Sequence, residues 1–275
     1  MKKILLVFDG THFSEGAFAF ASALNERSPI LLTGAFLPQV DYANLWSFGG
    51  ATATGPIYVP LVESEDADQV SANIEHFADL CRKHGIEYRI HKDFFDFALP
   101  ELKKESQFAD LLVVGSELFY ENLEGTGVNE SMSEMLHDVK CPVIVVPEKG
   151  AFPTSNVLAY DGSESSVFAI KQFAYLLPEF TGNATLLVHI QPGGEPSLPE
   201  QANMEELVAR HFPDLTIYSL DMNARKYFNT WLAERPGAIL VSGAFGRSFL
   251  SRLFRQSFVK GVIREHKLPV FIAHA

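Results

Sequence analysis

Short apolar runs alternate along the chain with longer segments whose apolar positions recur at helical spacing. The first run, 4–8, is uninterrupted and ends in the turn residues Asp9 and Gly10. An unbroken apolar run of this length is typical of a strand that is covered on both faces of a parallel sheet. Because runs and helical segments alternate to the end of the chain, the sequence predicts an α/β fold with doubly wound parallel sheets.

The alternation predicts strands and helices of ordinary length in both halves of the chain. The predicted strands are 3–9, 30–36, 87–92, 111–115, 143–146, 156–161, 184–190, 214–220, 238–243 and 269–273. The predicted helices are 14–26, 66–84, 97–106, 129–139, 164–177, 201–211, 223–234 and 248–265.

The two halves resemble each other at matching places in the same order. The Asp-Gly-Thr motif at 9–11 returns as Asp-Gly-Ser at 161–163, in each case between an apolar run and a helical segment. The later apolar runs are repeated as well: 111–115 and 142–146 correspond to 239–243 and 269–273. Together with the apolar runs that precede the two Asp-Gly motifs, 4–8 and 157–160, these make four matches in one order and indicate an internal repeat.

The boundary between the halves is predicted at about residue 150. Two prolines and a glycine interrupt regular structure between 147 and 153, as is usual at a domain junction. We therefore predict one five-stranded domain over 1–149 and a second over 150–275. An aromatic insertion at 38–61 has no counterpart of that length in the second half, and we interpret it as a cover over the domain junction.

Composition narrows the class of protein. The formal net charge of -12 removes the usual electrostatic drive for binding nucleic acid or an anionic membrane surface. No apolar stretch approaches the roughly 20 residues that span a bilayer. The two cysteines, Cys81 and Cys141, form no C-x-x-C pair, so we expect no disulfide framework, no thiolate zinc site and a reducing, cytoplasmic location.

The strongest local signal for chemistry follows the predicted strand 238–243. Gly243 and Gly246 flank a strand-to-helix turn, Arg247 is the first of three arginines, and Ser257 follows. Glycines let backbone amides approach phosphate oxygens, and a following helix start adds positive potential. The glycine pair alone is more typical of a tight turn, but its position together with the arginines and the serine favours an anion site.

These motifs resemble the universal stress protein family over nearly the whole chain. The resemblance is carried by Asp-Gly-Ser at 161–163, the Gly243-x-x-Gly246 turn, Ser257 and the strand 269–272. It implies two five-stranded domains of the adenine nucleotide alpha hydrolase-like type, joined with pseudo-twofold symmetry through their last strands. The first domain would then replace the second subunit that single-domain members recruit, as a monomer with an internal pseudo-dimer or as a homodimer.

The resemblance also implies a ligand, which is ATP or a related adenine nucleotide, with or without Mg²⁺. Asp161 would contact the ribose or the adenine, and the backbone near Ile190 would lie along the edge of the base. Gln256 stands where ATP-binding members have a glycine, although Ser257 keeps its place. The implied nucleotide-binding residues are Asp161, Ile190, Gly243, Gly246, Arg247, Gln256 and Ser257.

Two residues beside these strand ends also have plain structural interpretations. Asp161 could serve as the N-cap of the following helix as well as contact a ligand. His189 precedes Ile190, and a lone histidine beside a strand end is more often a packing or solvent residue than a ligand. We therefore do not assign His189 to the site.

The first half departs from the nucleotide motif. Gly115 is followed by Ser116 and Glu117 without a second glycine, and the expected Gly-Ser position falls near 128–129. Acidic residues in this segment would repel a triphosphate. Asp9 and Gly115 are therefore predicted to preserve fold geometry, with any nucleotide carried by the second half.

Catalytic signatures are weak. The nine histidines include no H-E-x-x-H pair, no G-x-S-x-G elbow occurs, and no histidine base is indicated for Ser257. We expect no catalytic residue, no protein-bound metal and binding without dedicated turnover, in a stress-response regulatory or protective protein with an unidentified protein partner. Two alternatives stay open: a nucleotide-independent protein- or small-ligand-interaction module that uses the aromatic insertion, and a nucleotide-using enzyme on the same fold.

Overall fold

The structure, a computed structural model, describes most of the chain in seven stretches. These are residues 1–37, 64–92, 98–117, 135–190, 197–220, 224–243 and 268–273. The aromatic insertion at 38–61 and the predicted helix 248–265 lie outside the described residues, as does the start of the predicted helix 129–139.

Strands and helices alternate through both halves. In the first half they are β1 (Lys2–Phe8), α1 (Glu15–Arg27), β2 (Ile30–Phe36), α2 (Ser64–Lys83), β3 (Glu87–Lys92), α3 (Ala98–Ser106), β4 (Leu111–Gly115), a helical segment at 135–138, and β5 (Val143–Val146). In the second half they are β6 (Ser155–Tyr160), α4 (Glu164–Leu176), a 3₁₀ turn (Pro178–Phe180), β7 (Ala184–Ile190), α5 (Gln201–His211), β8 (Leu215–Leu220), α6 (Ala224–Ala233), β9 (Ala238–Gly243) and β10 (Val270–Ala273).

The strands of the described ranges join into one sheet in the order β3-β2-β1-β4-β5-β10-β9-β6-β7-β8. The two halves have the same internal order, read outward from the centre. All pairs within a half are parallel. At the centre β5 and β10 pair antiparallel, with Val145 opposite Val270 and Val143 opposite Ile272.

This topology confirms the predicted α/β class and the expected pairing of the last strands. Two five-stranded parallel halves continue into each other as one ten-stranded sheet. The domain boundary at about residue 150 stays a prediction, and it falls in the segment between β5 and β6.

The inner strands contribute to two hydrophobic cores because their side chains alternate between the faces of the sheet. In β1, Leu6 and Phe8 belong to the core beneath α1, α2, α4 and α5, whereas Leu5 and Val7 belong to the core beneath α3, 135–138 and α6. Coverage on both faces explains the unbroken apolar runs in the sequence. No helix of the described ranges is long and apolar enough to cross a membrane.

Candidate functional site

A crevice forms where the strand order of the second half reverses. Strand β6 lies between β7 and β9 and is parallel to both. The connections from β6 and β9 therefore leave on opposite sides, and in open α/β sheets ligands bind beyond the carboxyl ends of strands at such a point. Asp161 directly follows β6, and Gly243 is the last residue of β9, so two of the predicted site residues meet here.

Asp161 organises the turn between β6 and α4. Its Oδ1 accepts from the backbone N–H of Ser163 at 2.9 Å and from the Ser163 hydroxyl at 2.5 Å. Between them Gly162 has φ of 79°, a left-handed conformation that favours glycine. Ser163 is the N-cap, since its Oγ accepts from the Ser166 N–H at 3.2 Å. The N-cap interpretation of Asp161 is therefore wrong: the aspartate holds the capping residue.

Gly243 is a glycine because α4 passes directly against it. A Cβ at this position would lie 2.5–2.6 Å from the backbone of Ser165 and Ser166, a separation that side chains essentially never show. This contact brings the end of β9 and the first turn of α4 together. The first turn of α4, whose N–H groups have no partner within the helix and which carries a partial positive charge, therefore borders the crevice between Asp161 and Gly243.

Strand β7 carries a buried histidine close to its carboxyl end. His189 is opposite Tyr160 in the register of β6 and β7, and its side chain is 6% exposed. Its Nδ1 lies 2.9 Å from the Tyr160 carbonyl oxygen, whereas Nε2 has no hydrogen-bond partner in the part of the chain that the structure describes. Ile190, whose backbone is predicted to lie along the edge of the base, follows as the last residue of β7. Sequence reasoning set His189 aside, although a polar residue one position before the end of an apolar strand was a usable signal.

The Tyr160 hydroxyl group points to α5. It donates to the Pro199 carbonyl oxygen at 2.9 Å, and burial, with smaller contributions from the acidic Glu200 and Asp161, raises the pKa of Tyr160. The phenol is therefore neutral at physiological pH and serves as a hydrogen-bond donor. This bond fixes the tyrosine whose backbone carbonyl group holds His189.

The equivalent edge of the first half is filled by its own side chains. Asp9 is buried, and its two carboxylate oxygens contact the backbone N–H and the Nδ1 of His12, both at 2.8 Å. Phe8 stacks on Phe13 and on Phe36, with ring centroids 4.7 and 4.8 Å apart. These contacts hold Asp9 in the fold, in agreement with its predicted structural role.

A carboxylate from the end of the first half covers the N-terminus of α1. Glu148 accepts from the hydroxyl group of Ser14, the N-cap residue, and from the backbone N–H of Gly16 at 3.1 Å. Its own N–H donates to Glu117 at 2.6 Å. An anion at a helix N-terminus is stabilised by the helix dipole and the unpaired N–H groups. The first half thus supplies its own anion where a ligand phosphate would be attracted.

Solved structures that resemble the whole chain share this arrangement of elements at low sequence identity. A universal stress protein from Archaeoglobus fulgidus has a TM-score of 0.66 and 18% identity, over 99% of this chain and 96% of its own. One from Pseudomonas aeruginosa, assigned to the same family, has a TM-score of 0.59 and 13% identity, over 100% and 93%. The chain has the universal stress protein fold. A Pseudomonas aeruginosa protein of unknown function also matches, with a TM-score of 0.57 and 12% identity over 100% and 92%.

At these identities the likeness to universal stress proteins concerns the fold. No protein-family model matches the sequence, and no curated protein does. The residues of the site therefore carry the functional argument.

The remaining predicted residues of the universal stress protein site follow β9. Gly246, Arg247, Gln256 and Ser257 lie outside the described residues, so their contacts with phosphate stay predictions. Of the predicted set, the structure brings Asp161, Gly243 and the end of β7 at Ile190 to one edge of the sheet.

Neither a metal cluster nor a reactive thiol occurs in the described part of this universal stress protein fold. No group of three or more His, Cys, Asp or Glu side chains there is arranged to hold a metal ion. Burial raises the pKa of both Cys81 and Cys141 to about 12. The two thiols are therefore protonated at neutral pH and poor nucleophiles.

Proposed function

We propose that the chain is a universal stress protein whose second half binds ATP or a related adenine nucleotide in the crevice beyond β6 and β9. One observation carries this proposal: at the same place in the two halves, α1 is covered by the chain's own Glu148, whereas the first turn of α4 borders a crevice with Asp161 and Gly243. This asymmetry supports our proposal that the second half holds the ligand.

The chemistry of the second half suits the two ends of a nucleotide. The N-terminus of α4 attracts anions, and the sequence places Gly246 and Arg247 just after β9 and Ser257 further along the same segment. The strand β7, on the other side of β6, carries uncharged groups. A phosphate chain toward β9 and a base toward β7 match this distribution, with Mg²⁺ accompanying the phosphates.

The counterpart of Glu148 supports the same assignment. Residues 142–146 correspond to 269–273, so the position two residues after β5 corresponds to Ala275. The second half therefore has an alanine side chain where the first half has the carboxylate side chain that reaches α1.

We propose regulation or protection in a stress response, in the cytoplasm, without dedicated catalysis. A nucleotide would act by favouring one of two conformations or partner interfaces, which requires different affinities for the two states. A monomer that contains an internal pseudo-dimer, or a homodimer of such chains, is the proposed assembly, with an unidentified protein as partner.

The second candidate is an interaction module that needs no nucleotide. The observation that favours it is the close contact between Gly243 and α4, because the glycine is required by packing alone. Gln256, in place of a glycine, points the same way.

Calorimetric titration of nucleotide-stripped protein with ATP and Mg²⁺ separates the two candidates. We expect saturable binding of about one nucleotide per chain. Asp161→Asn and Gly246→Asp should abolish it, because the first changes the strand-end carboxylate and the second places a negative charge at the phosphate turn. The matched control, Asp9→Asn in the first half, should bind as the wild type does.

Folding of each variant is checked by circular dichroism and thermal unfolding before titration. Absence of binding by folded wild-type protein would overturn the nucleotide proposal and favour the interaction module. Release of ADP at a steady rate would overturn the proposal of binding without turnover.

A further inference from the structure

His189 presents a buried hydrogen-bond acceptor at the edge of the proposed site. Only 6% of His189 is exposed. Its Nε2 has no hydrogen-bond partner among the described residues. A buried polar atom without a partner lowers stability, and buried polar groups in native proteins are nearly always paired with protein, water or a ligand. The atom therefore calls for an explanation.

The other ring nitrogen fixes what Nε2 can accept. Nδ1 lies 2.9 Å from the Tyr160 carbonyl oxygen, and a carbonyl oxygen can only accept, so Nδ1 carries the proton. In the neutral imidazole Nε2 then has a lone pair and no proton. Its partner must be a hydrogen-bond donor, which is an N–H or O–H group.

The fold does not require a histidine at this position. In the register of the first half Phe36 is opposite Phe8, just as His189 is opposite Tyr160 in the second. The two phenylalanine rings stack at 4.8 Å and fill the space without a polar atom. A histidine at the equivalent position thus adds a hydrogen-bonding group at a place where an apolar ring satisfies the same topology.

The position of His189 selects the part of the nucleotide that it would meet. Strands β7 and β9 flank β6 on opposite sides, which places His189 and Gly243 roughly 10 Å apart across two strand spacings. Phosphates are drawn toward the β9 side, where α4 begins and the arginines follow. The opposite end of a nucleotide is its base, and the base therefore reaches the β7 side.

We propose that His189 is a specificity-determining residue whose Nε2 accepts a hydrogen bond from the exocyclic amino group of an adenine base. This inference rests on the proposed nucleotide site and adds the reason for its choice of base. A purine that lacks the amino group leaves the acceptor unpaired, and a 6-oxo purine places a second acceptor against it.

The test compares ATP with purine riboside 5′-triphosphate, which lacks the exocyclic amino group, by calorimetric titration of the full chain. Wild-type protein should bind ATP about tenfold more tightly, the ratio expected for one buried neutral hydrogen bond. His189→Phe, which copies the first-half residue, should reduce this preference to within about twofold and leave the affinity for the analogue unchanged. Phe36→Leu in the first half is the matched control and should keep the tenfold preference.

A measurement on wild-type protein removes the dependence on a folded variant. The imidazole nitrogens of ¹⁵N-histidine-labelled protein should show Nδ1 protonated before ligand is added. ATP should shift the Nε2 resonance of His189 in the direction of an accepted hydrogen bond, whereas the analogue should leave it in place.

The outcomes separate this inference from the proposed function. If wild-type protein binds neither triphosphate, the proposed function and the inference both fall. If ATP binds but the two triphosphates have equal affinity, or if His189→Phe keeps the tenfold preference, the function stands and the role of His189 is overturned. An Nε2 resonance that ATP does not move has the same meaning, with water as the partner of that atom.

Discussion

The two halves of the chain share a strand order and an Asp-Gly turn, but the carboxyl edges of their sheets are filled differently. In the first half Glu148 covers the N-terminus of α1, and stacked phenylalanines surround the end of β1. In the second half α4 begins beside Gly243, and His189 takes the place of a phenylalanine. One topology therefore carries one edge that its own side chains occupy and another edge where we propose that a ligand binds.

This difference shows how a repeated fold can assign separate tasks to its halves. The sheet and the helices are held by apolar contacts that run through both halves, so the edge residues are free to change. A few substitutions at the strand ends suffice to close one edge and leave the other polar. Four experiments test this comparison.

Replacement of the strand-end glycines should affect the second half more strongly. Gly243→Ala should lower the free energy of unfolding by about 3 kcal/mol, because the new Cβ meets the backbone of Ser165, which cannot move aside. Gly115→Ala should cost about 1.5 kcal/mol, because its Cβ meets the side chains of Ser14 and Glu148. Urea denaturation measures both.

Gly182→Ala is the control for this pair, because a Cβ there meets no atom within 4 Å. It should change the free energy of unfolding by less than about 0.5 kcal/mol. Equal costs for Gly243→Ala and Gly115→Ala would contradict the difference in packing between the two strand ends.

Removal of the carboxylate that closes the first half should destabilise the protein. Glu148→Ala leaves the Ser14 hydroxyl and the Gly16 N–H without their partner, and we expect a loss of about 2 kcal/mol in the free energy of unfolding. Glu148→Gln, which keeps an acceptor oxygen but not the charge, should lose about half as much. Chemical denaturation at low and high salt separates the contribution of the Glu148 charge to the free energy of unfolding from that of its hydrogen bonds. Equal stability of the wild type and both variants would show that Glu148 does not cap α1.

Both cysteines lie in the first half. They should make the free energy of unfolding fall as the pH becomes alkaline. Burial raises the pKa of Cys81 and Cys141 from an ordinary value of 9.0 to about 12. The unfolded thiols lose protons first, so this contribution is complete below pH 9 and is lost as the pH rises toward 12. Between pH 8 and 9.5 the two thiols together should account for a loss of about 1.5 kcal/mol.

The measurement compares the pH dependence of unfolding in wild-type protein and in a Cys81→Ala, Cys141→Ala double variant. The variant starts from lower stability because it loses buried volume, but its stability should fall less steeply above pH 8. Parallel curves would show that the thiols are accessible in the folded state.

Replacement of the two strand-end aspartates by asparagine should change the affinity for ATP in the second half but not in the first. Asp9→Asn keeps one acceptor for the His12 N–H but weakens the contact with the His12 ring, so we expect a loss of about 1 kcal/mol in the free energy of unfolding. Its affinity for ATP should match that of the wild type, in contrast to Asp161→Asn. Loss of ATP binding in both variants would place the ligand across the two halves and remove the asymmetry.

Sequence patterns anticipated the sheet closely. All ten described strands lie within one residue of their predicted ends, because a strand covered on both faces needs an unbroken apolar run and stops at turn residues. The helix predicted at 164–177 was found at Glu164–Leu176, whereas its cap was misassigned. Asp161 and Ser163 are both good capping residues, and only backbone geometry distinguishes the residue that caps from the residue that holds it.

The sequence by itself determined the alternation of strands and helices, the repeat, and the strand ends that carry Asp161 and Gly243. These features depend on neighbours along the chain, where apolar period and turn chemistry act directly. Folding alone brings Glu148 to Ser14 across 134 positions and buries His189 against Tyr160. Such contacts join residues that are distant in sequence, and their chemistry depends on the distances and burial that folding creates.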